Sequence, residues 1–463
     1  MNLVGERGQS GRLFAEEVPV WHNRSGQVRP EWLSACEDER TLTANLMERI
    51  ASASNLQRAY RQVRSNGGSA GVDGMKIGEL SDWFASNLST LQSSLVEGSY
   101  KPAAVRGVKI PKPNGGTRQL GIPTVTDRVV QQAISQVLTD HYEPIFSPYS
   151  YGFRPRRSAH DALGQAASYV SAGLSYVIDL DLEKFFDEVN HHRLLWLLSH
   201  RVGDRRVITL IARYLRTGIL EDGLCSQRTK GTPQGSPLSP LLSNIVLDEL
   251  DQELTRRGHR FVRYADDVKI FVGSALSAQS VSTTVTKFIR DRLRLKVNET
   301  KSRCCRGYEL NFLGHSVLSG GHVGLSAASE RRLKDKVRKL TNRNRGVSMD
   351  QVLTELRSAL LGWLHYFRYA RMGKRLLAID GWIRRKLKCY RLKQCKRVIG
   401  IVRLLRNLGV EKTLCWRTAL SGKGWWRLSN SPALSIGMGK KWFAEQGYYS
   451  LSEHYKSLHR RIP

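Results

Sequence analysis

Residues 261–272, FVRYADDVKIFV, constrain the fold more than any other stretch of this chain. Two β-rich runs, 261–264 and 268–272, flank the turn-prone unit Ala265-Asp266-Asp267. That pattern predicts a tight hairpin with adjacent carboxylates at its tip. Two like charges side by side cost free energy unless a cation relieves them. A plain acidic surface turn has the same local appearance, so the rest of the chain must decide between the two.

Charge is the first discriminator. The 463 residues carry 73 Lys+Arg against 41 Asp+Glu, a formal net charge of +32. A field of that size implies a polyanionic partner, nucleic acid before others. From Leu325 onward about 32 basic residues face about 8 acids, and six of the ten Trp (363, 382, 416, 425, 426, 442) fall in the same third. Basic residues interleaved with aromatics suit phosphate contact and base stacking, and the same Trp also suit a helical core. The seven Cys are scattered, without paired C-x-x-C spacing, which argues against a disulfide framework or structural zinc and for a reducing compartment. No apolar run reaches membrane-spanning length, so a soluble protein with no membrane partner is expected. Seven acids in the first 40 residues argue against an organelle transit peptide.

In chain order, residues 1–41 read as an irregular extension and 42–63 as helical. The loop 66–74, NGGSAGVDG, contains Gly71 and Asp73 and leaves room for a nucleic-acid backbone to approach closely. Residues 105–123 read as a hairpin with Lys112 and Arg118 on either side of Pro113-Asn114-Gly115-Gly116. Cations so placed suit a triphosphate, Arg as a planar fork and Lys as a point charge, or simply a solvated basic hairpin. Residues 149–160 form an aromatic and basic loop before a helix at 159–171, and His160 has no metal-ligand spacing around it.

The run Tyr176–Asp181 alternates with period two, placing Tyr176, Ile178 and Leu180 on one face and Val177, Asp179 and Asp181 on the other. An aspartate ending an apolar strand belongs at an edge or on a cation. Residues 231–237, GTPQGSP, read as a rigid loop in which Ser236 caps a helix with Pro237 at its first position. Leu238, Leu241, Leu242 and Ile245 give that helix a buried stripe reaching to about Gly258. A helix over 281–293 follows, and segments 295–301 and 310–315 lead out of the domain. Three basic amphipathic helices, 330–342, 349–371 and 376–392, then predict a bundle.

Taken in this order, the Lys/Arg hairpin, the strand ending in Asp181, the QGSPLSP loop, the YADD hairpin and the FLGH segment at 312–315 resemble a reverse transcriptase over residues 42–320. Residues 331–346, RRLKDKVRKLTNRNRG, and 362–370, GWLHYFRYA, look like the maturase-specific thumb of bacterial group II intron-encoded proteins. Residues 422–427, GKGWWR, with 431–434, SPAL, are similar to the DNA-binding tail of that family.

The resemblance implies an α+β right-hand polymerase. Fingers and palm, an antiparallel sheet plus helices, would occupy 42–324 after the 1–41 extension. An α-helical thumb or maturase domain would follow at 325–398 and a small basic DNA-binding region at 399–463. It implies an RNA-directed DNA polymerase using two Mg²⁺ ions, with Mn²⁺ as an alternative, on Asp181, Asp266, Asp267 and the Leu182 carbonyl. Those ions would offset the like-charge cost of Asp266 beside Asp267.

By the same resemblance Lys112 and Arg118 hold the β- and γ-phosphates, and Gln234 lies under the incoming nucleotide. Phe186 is the gate against a ribose 2′-hydroxyl, and Lys301 sits near primer or pyrophosphate. Gly71 and Asp73 belong to a lid over the template, and Arg384, Arg385, Trp425 and Arg427 contact nucleic acid. The implied partners are group II intron RNA, a DNA primer or target, and dNTPs, in splicing and retrohoming within a bacterial cytoplasm, near the nucleoid. The sequence reaches Pro463 without the paired Cys and His module of endonuclease-bearing members, so it resembles the endonuclease-less type. Two other readings stay open: a splicing cofactor without enzymatic duty, and a reverse transcriptase serving the host in repair or defence. Nothing in the sequence bears on oligomeric state.

Overall fold

The computed structural model describes residues 20–22, 28–30, 45–111, 115–221, 224–226 and 228–460. Of the expected 1–41 extension, the described part is an antiparallel pairing of Val20–His22 with Val28–Pro30; the rest lies outside the described residues. The chain forms two compact units, one of residues 1–158, 180–270 and 280–303, the other of 159–179, 271–279 and 304–463.

In the first unit, helices Ala53–Asn66 and Val125–Tyr142 are each started by a hydroxyl cap. Ser52 accepts from the Asn55 amide and Thr124 from the Asp127 amide, satisfying N–H groups that a helix start leaves open. Buried Asn55 ties the two helices together through the Ala133 carbonyl (3.1 Å) and the Gln136 side chain (2.8 Å). Asp127, also buried, accepts from Tyr100, Tyr214, Thr124 and the Ala103 amide. Burial nonetheless pushes its carboxyl upward, because desolvation disfavours the charged form.

A four-stranded sheet runs in the order Thr117–Ile122, Val105–Pro111, Ile219–Glu221, Leu224–Ser226. Its first two strands are the expected basic hairpin, with Ile110 opposite Arg118; Lys112 and the adjoining residues 113–114 lie outside the described residues. A second four-stranded sheet has the order Arg303–Arg306, Tyr176–Asp181, Asp267–Val272, Arg260–Tyr264. Val177, Ile178 and Leu180 are all buried, so both faces of their strand are covered and the expected two-faced alternation is incomplete.

The helix after residues 231–237 spans Ser239–Arg256 and begins later than expected. The Ser236 amide (3.3 Å) and the Ser239 hydroxyl (2.8 Å) both donate to the Pro233 carbonyl, so residues 233–239 close a turn of their own, while the Ser236 hydroxyl donates to Gln131 (2.5 Å). The next helix, Ala275–Asp291, begins before the expected residue 281.

The second unit contains helices Ala327–Leu340, Met349–Phe367 and Gly373–Gln394. The middle one stops short of residue 371 because the Arg371 amide instead bonds the Val323 carbonyl at 2.8 Å. One cluster of buried side chains runs from Leu325 to Leu451 and continues across residue 398. Within it Asp380, fully buried, accepts from Tyr448 (2.8 Å), Ser450 (3.1 Å) and the Leu451 and Ser452 amides (3.0 and 2.8 Å). The start of helix Leu451–Arg460 is thereby capped by a residue far upstream. Trp363, Trp382, Trp425 and Trp442 pack partly against the cluster, whereas Trp416 and Trp426 are exposed.

Candidate active site

The hairpin at the centre of the sequence forms, with a tighter turn than expected. Strands Arg260–Tyr264 and Asp267–Val272 are joined by Ala265 and Asp266 alone, so Asp267 begins the second strand. Ala265 has φ +58°, a left-handed conformation uncommon for alanine. Surrounding bonds hold it there. Arg263, fully buried, donates to the Ala265 carbonyl (3.0 Å), to Asn244 (2.9 Å) and to Asp251 (2.5–2.9 Å). Asn244 in turn donates to the Gly152 carbonyl at 3.0 Å. A Cβ at Gly152 would lie 2.2 Å from the Ala265 nitrogen, so the 149–153 loop lies directly against the tip. Its edge is bonded to the strand: the Arg263 amide to the Tyr149 carbonyl, and the Tyr151 amide to the Arg263 carbonyl. Sequence reasoning missed this grip. Its one signal was an arginine inside an apolar strand, a charge too costly to bury without a partner.

Asp181 is clamped by residues 296–302, a segment in which the sequence singles out Lys301 alone. The Asp181 amide donates to Ser302 (3.0 Å) and its carbonyl accepts from the Asn298 amide (2.8 Å). The Glu183 amide bonds the Lys296 carbonyl (2.8 Å), so Leu182 faces Val297 in a bridge that its own carbonyl does not form. The turn 298–301 closes on Asn298 and brings the Lys301 ammonium to 3.4 Å from the Asp181 carboxylate.

Asp181 and Asp266 are electrostatically coupled. The Asp266 carboxyl is pushed up, first by burial and then by the negative charge of Asp181, against the pull of its own backbone hydrogen bond, Arg118 and Arg263. Asp267 is held differently, in an ion pair with buried Lys269 two residues along the same strand. Among the described residues no three His, Cys, Asp or Glu side chains are gathered as a metal cage. A desolvated carboxylate beside a second one is nevertheless a hard-oxygen donor pair that a divalent cation relieves.

Around this pair, Arg118 stands exposed on its strand. Gln234 is half-buried and its carbonyl accepts from the Gly121 amide at 2.9 Å. Phe186 is half-buried, edge-on to Phe185 at 5.4 Å, and its carbonyl accepts from the Thr232 amide at 2.6 Å. Gly231, at φ +85°, permits that approach, since a Cβ there would lie 2.7 Å from the Asp187 carbonyl oxygen.

The expected nucleic-acid contacts are distributed less simply. Gly71 is buried, and a Cβ on it would lie 2.6 Å from the Thr124 Cα. Packing within the chain therefore accounts for this glycine. Asp73 is exposed and accepts from the Met75 amide. Arg384 is half-buried and Arg427 exposed. Arg385 is occupied internally, donating to the Trp426 carbonyl (2.8 Å) and Ser429 (3.2 Å). Trp425 is half-buried against the helical core.

Two family models match the chain: reverse transcriptase (RNA-dependent DNA polymerase) over residues 110–317, and the group II intron maturase-specific domain over residues 330–406. Protein YkfC of Escherichia coli is 31% identical over 325 residues, 61% of this chain and 85% of that protein. The group II intron-encoded protein LtrA of Lactococcus lactis is 30% identical over 326 residues, 56% of this chain and 54% of LtrA. The chain thus spans about half the length of that second relative. Among solved structures, telomerase from Candida albicans is similar at TM-score 0.42 and 12% identity, covering 67% of this chain and 63% of that one. This chain belongs to the reverse transcriptases of the group II intron-encoded family, and the α+β architecture agrees with that membership.

Proposed function

We propose that the chain copies RNA into DNA at the Asp181 and Asp266 carboxylates, and that its basic second unit holds group II intron RNA in support of splicing and retrohoming. The observation that carries the polymerase reading is the placement of the two carboxylates: half-buried Asp266 at the hairpin tip, its carboxyl pushed up first by desolvation and then by the charge of Asp181, with the Lys301 ammonium 3.4 Å from Asp181 and Arg118 acting on Asp266. Asp181, Asp266 and the Leu182 carbonyl would hold two magnesium ions, or manganese in their place, with Asp267 joining on release from Lys269. When bound, such ions supply positive charge at the attacking hydroxyl and the departing pyrophosphate.

The chain's own residues do the rest. Arg118, with Lys112, neutralises the triphosphate and orients it as a fork does. Lys301, on the turn that clamps Asp181, offers a mobile cation at the same edge. Gln234, on a loop bonded to the Gly121 strand, supports the nucleotide, and the Phe186 ring fills the space a 2′-hydroxyl would need. Primer, template and dNTPs are the corresponding substrates.

Asp266→Asn tests this directly. It abolishes dNTP incorporation on a primed RNA template while intron RNA binding stays within about twofold of wild type. Because the folded carboxyl titrates high, its ionised form costs stability above that raised pKa, so the variant melts higher at neutral pH. Divalent cation raises the melting temperature of the wild type more than that of the variant. Residual synthesis by Asp266→Asn would remove the assignment.

A further inference from the structure

We infer that the second unit carries a pocket for one unpaired nucleotide, formed by Arg338, Asn342, Arg343, Lys386 and Trp426. The inference rests on reading the chain as an RNA-binding polymerase and adds a specific subsite to it. These residues line a cavity of about 340 Å³ where the end of helix Ala327–Leu340 meets helix Gly373–Gln394 and the 425–428 turn.

The chemistry is one-sided. Three cations and no acid line the cavity. Arg338 is paired with Asp335 at 2.5 Å, whereas Arg343 and Lys386 have no acidic partner among the described residues. The Lys386 ammonium lies 5.3 Å from the Trp426 ring centre and 5.8 Å from that of Trp382, and Arg338 lies 5.7 Å from Trp382. Arg385 stacks on Trp426 at 3.9 Å while bonding its carbonyl, which fixes an indole that is otherwise 41% exposed. Asn342 accepts from the Asn344 amide through its side-chain oxygen at 3.1 Å, so its amide nitrogen remains as a donor.

Unpaired cations provide for a phosphate, a fixed indole provides a stacking surface, and an amide donor suits a base edge. Together they match an extruded nucleotide. A paired base cannot enter a cavity, so the ligand is single-stranded: a bulged or looped residue of RNA, or of displaced DNA. An acidic peptide would use the cations and leave the indole and amide without a role.

The test uses the full chain and a hairpin RNA with one bulged 2-aminopurine. Binding quenches its fluorescence through stacking on Trp426, and Trp426→Leu abolishes the quench while Trp426→Phe retains part of it. Arg343→Gln with Lys386→Gln weakens binding of the bulged hairpin about tenfold and lowers the salt slope by about 1–2. The same double variant changes binding of a fully paired hairpin less than twofold. Equal losses on bulged and paired hairpins, or an unchanged quench in Trp426→Leu, would overturn the pocket. A DNA hairpin with the same bulge assigns the source: a quench as large as with RNA supports displaced DNA, and a smaller one supports RNA. Primer extension on the wild-type preparation reports the polymerase separately, so a failed pocket and a failed polymerase reading are distinguishable.

Discussion

Gly152→Ala isolates the grip on the hairpin tip. Gly152 needs no unusual backbone angle, so adding a methyl group is a purely steric change. That methyl would lie 2.2 Å from the Ala265 nitrogen and 2.9 Å from the Tyr264 carbonyl carbon, where ordinary contact begins at 3.4 Å. Something must open by roughly 1 Å. The tip has little freedom to do so locally, because Ala265 is already left-handed and its carbonyl is tied to buried Arg263. Asp266, the next residue, is therefore displaced relative to Asp181.

A misplacement of about 1 Å at a reacting centre costs on the order of 100-fold in rate, and overpacking costs about 1–3 kcal/mol of stability. Single-nucleotide incorporation on a primed RNA should show kcat reduced about 100-fold. KM for dNTP should change little, since Arg118 and Gln234 stand on other elements. Gly164→Ala is the control: Gly164 is exposed in the middle of a helix with nothing within 4 Å of the new methyl. It should leave kcat intact and raise stability by up to about 1 kcal/mol. A Gly152→Ala enzyme with kcat within threefold of wild type, despite lower stability, would refute the claim that this glycine positions the carboxylates.

Other outcomes follow from neighbouring contacts. Arg263→Met leaves Asp251 buried without its partner and should cost about 3–5 kcal/mol in urea denaturation, with part recovered by adding Asp251→Asn; a loss under 1 kcal/mol would contradict the network. Phe186→Ala should admit ribonucleotides, read as a fall in the dNTP/rNTP ratio of kcat/KM, and unchanged discrimination would remove it as the gate. The Asp248 carboxyl is pushed up to about 7, chiefly by burial and next by the charge of Asp251. Its folded pKa lies above the ordinary one, so the residue lowers stability progressively as pH rises from about 4 to about 7. Asp248→Asn should remove up to ~4 kcal/mol of that decline, and parallel stability–pH curves for variant and wild type would contradict the assignment.

Period-two runs and turn residues made the YADD hairpin, the Asp181 strand and the basic hairpin legible in the sequence, because local geometry specifies all three. What escaped depends on partners distant in sequence. Arg263 is explained by Asp251 and Asn244, and Gly152 by the backbone of Ala265, none of which is a local pattern. Residues 296–302 hold the end of the Asp181 strand through two backbone bonds, Asn298 to Asp181 and Lys296 to Glu183, and through the Ser302 hydroxyl, all between partners more than a hundred positions apart, which no local pattern reveals. Arg385 and Lys386 are adjacent and chemically alike, yet one is fastened to the Trp426 carbonyl and the other lines the cavity. Successive residues on a helix point about 100° apart, so their duties depend on what packs alongside.

Asp380 has a consequence for how the protein is made. Its carboxylate lies in the interior of the second unit and relies on donors from Tyr448, Ser450, Leu451 and Ser452. During synthesis, helix Gly373–Gln394 leaves the ribosome well before those residues do. Until they arrive, burying Asp380 would strand a charge at several kcal/mol, so the helix has to remain hydrated on that side. The nascent second unit therefore cannot close its core domain by domain as it emerges. Its last assembly step waits for residues 448–452, which makes their docking a late checkpoint on whether the basic unit is finished before it meets RNA.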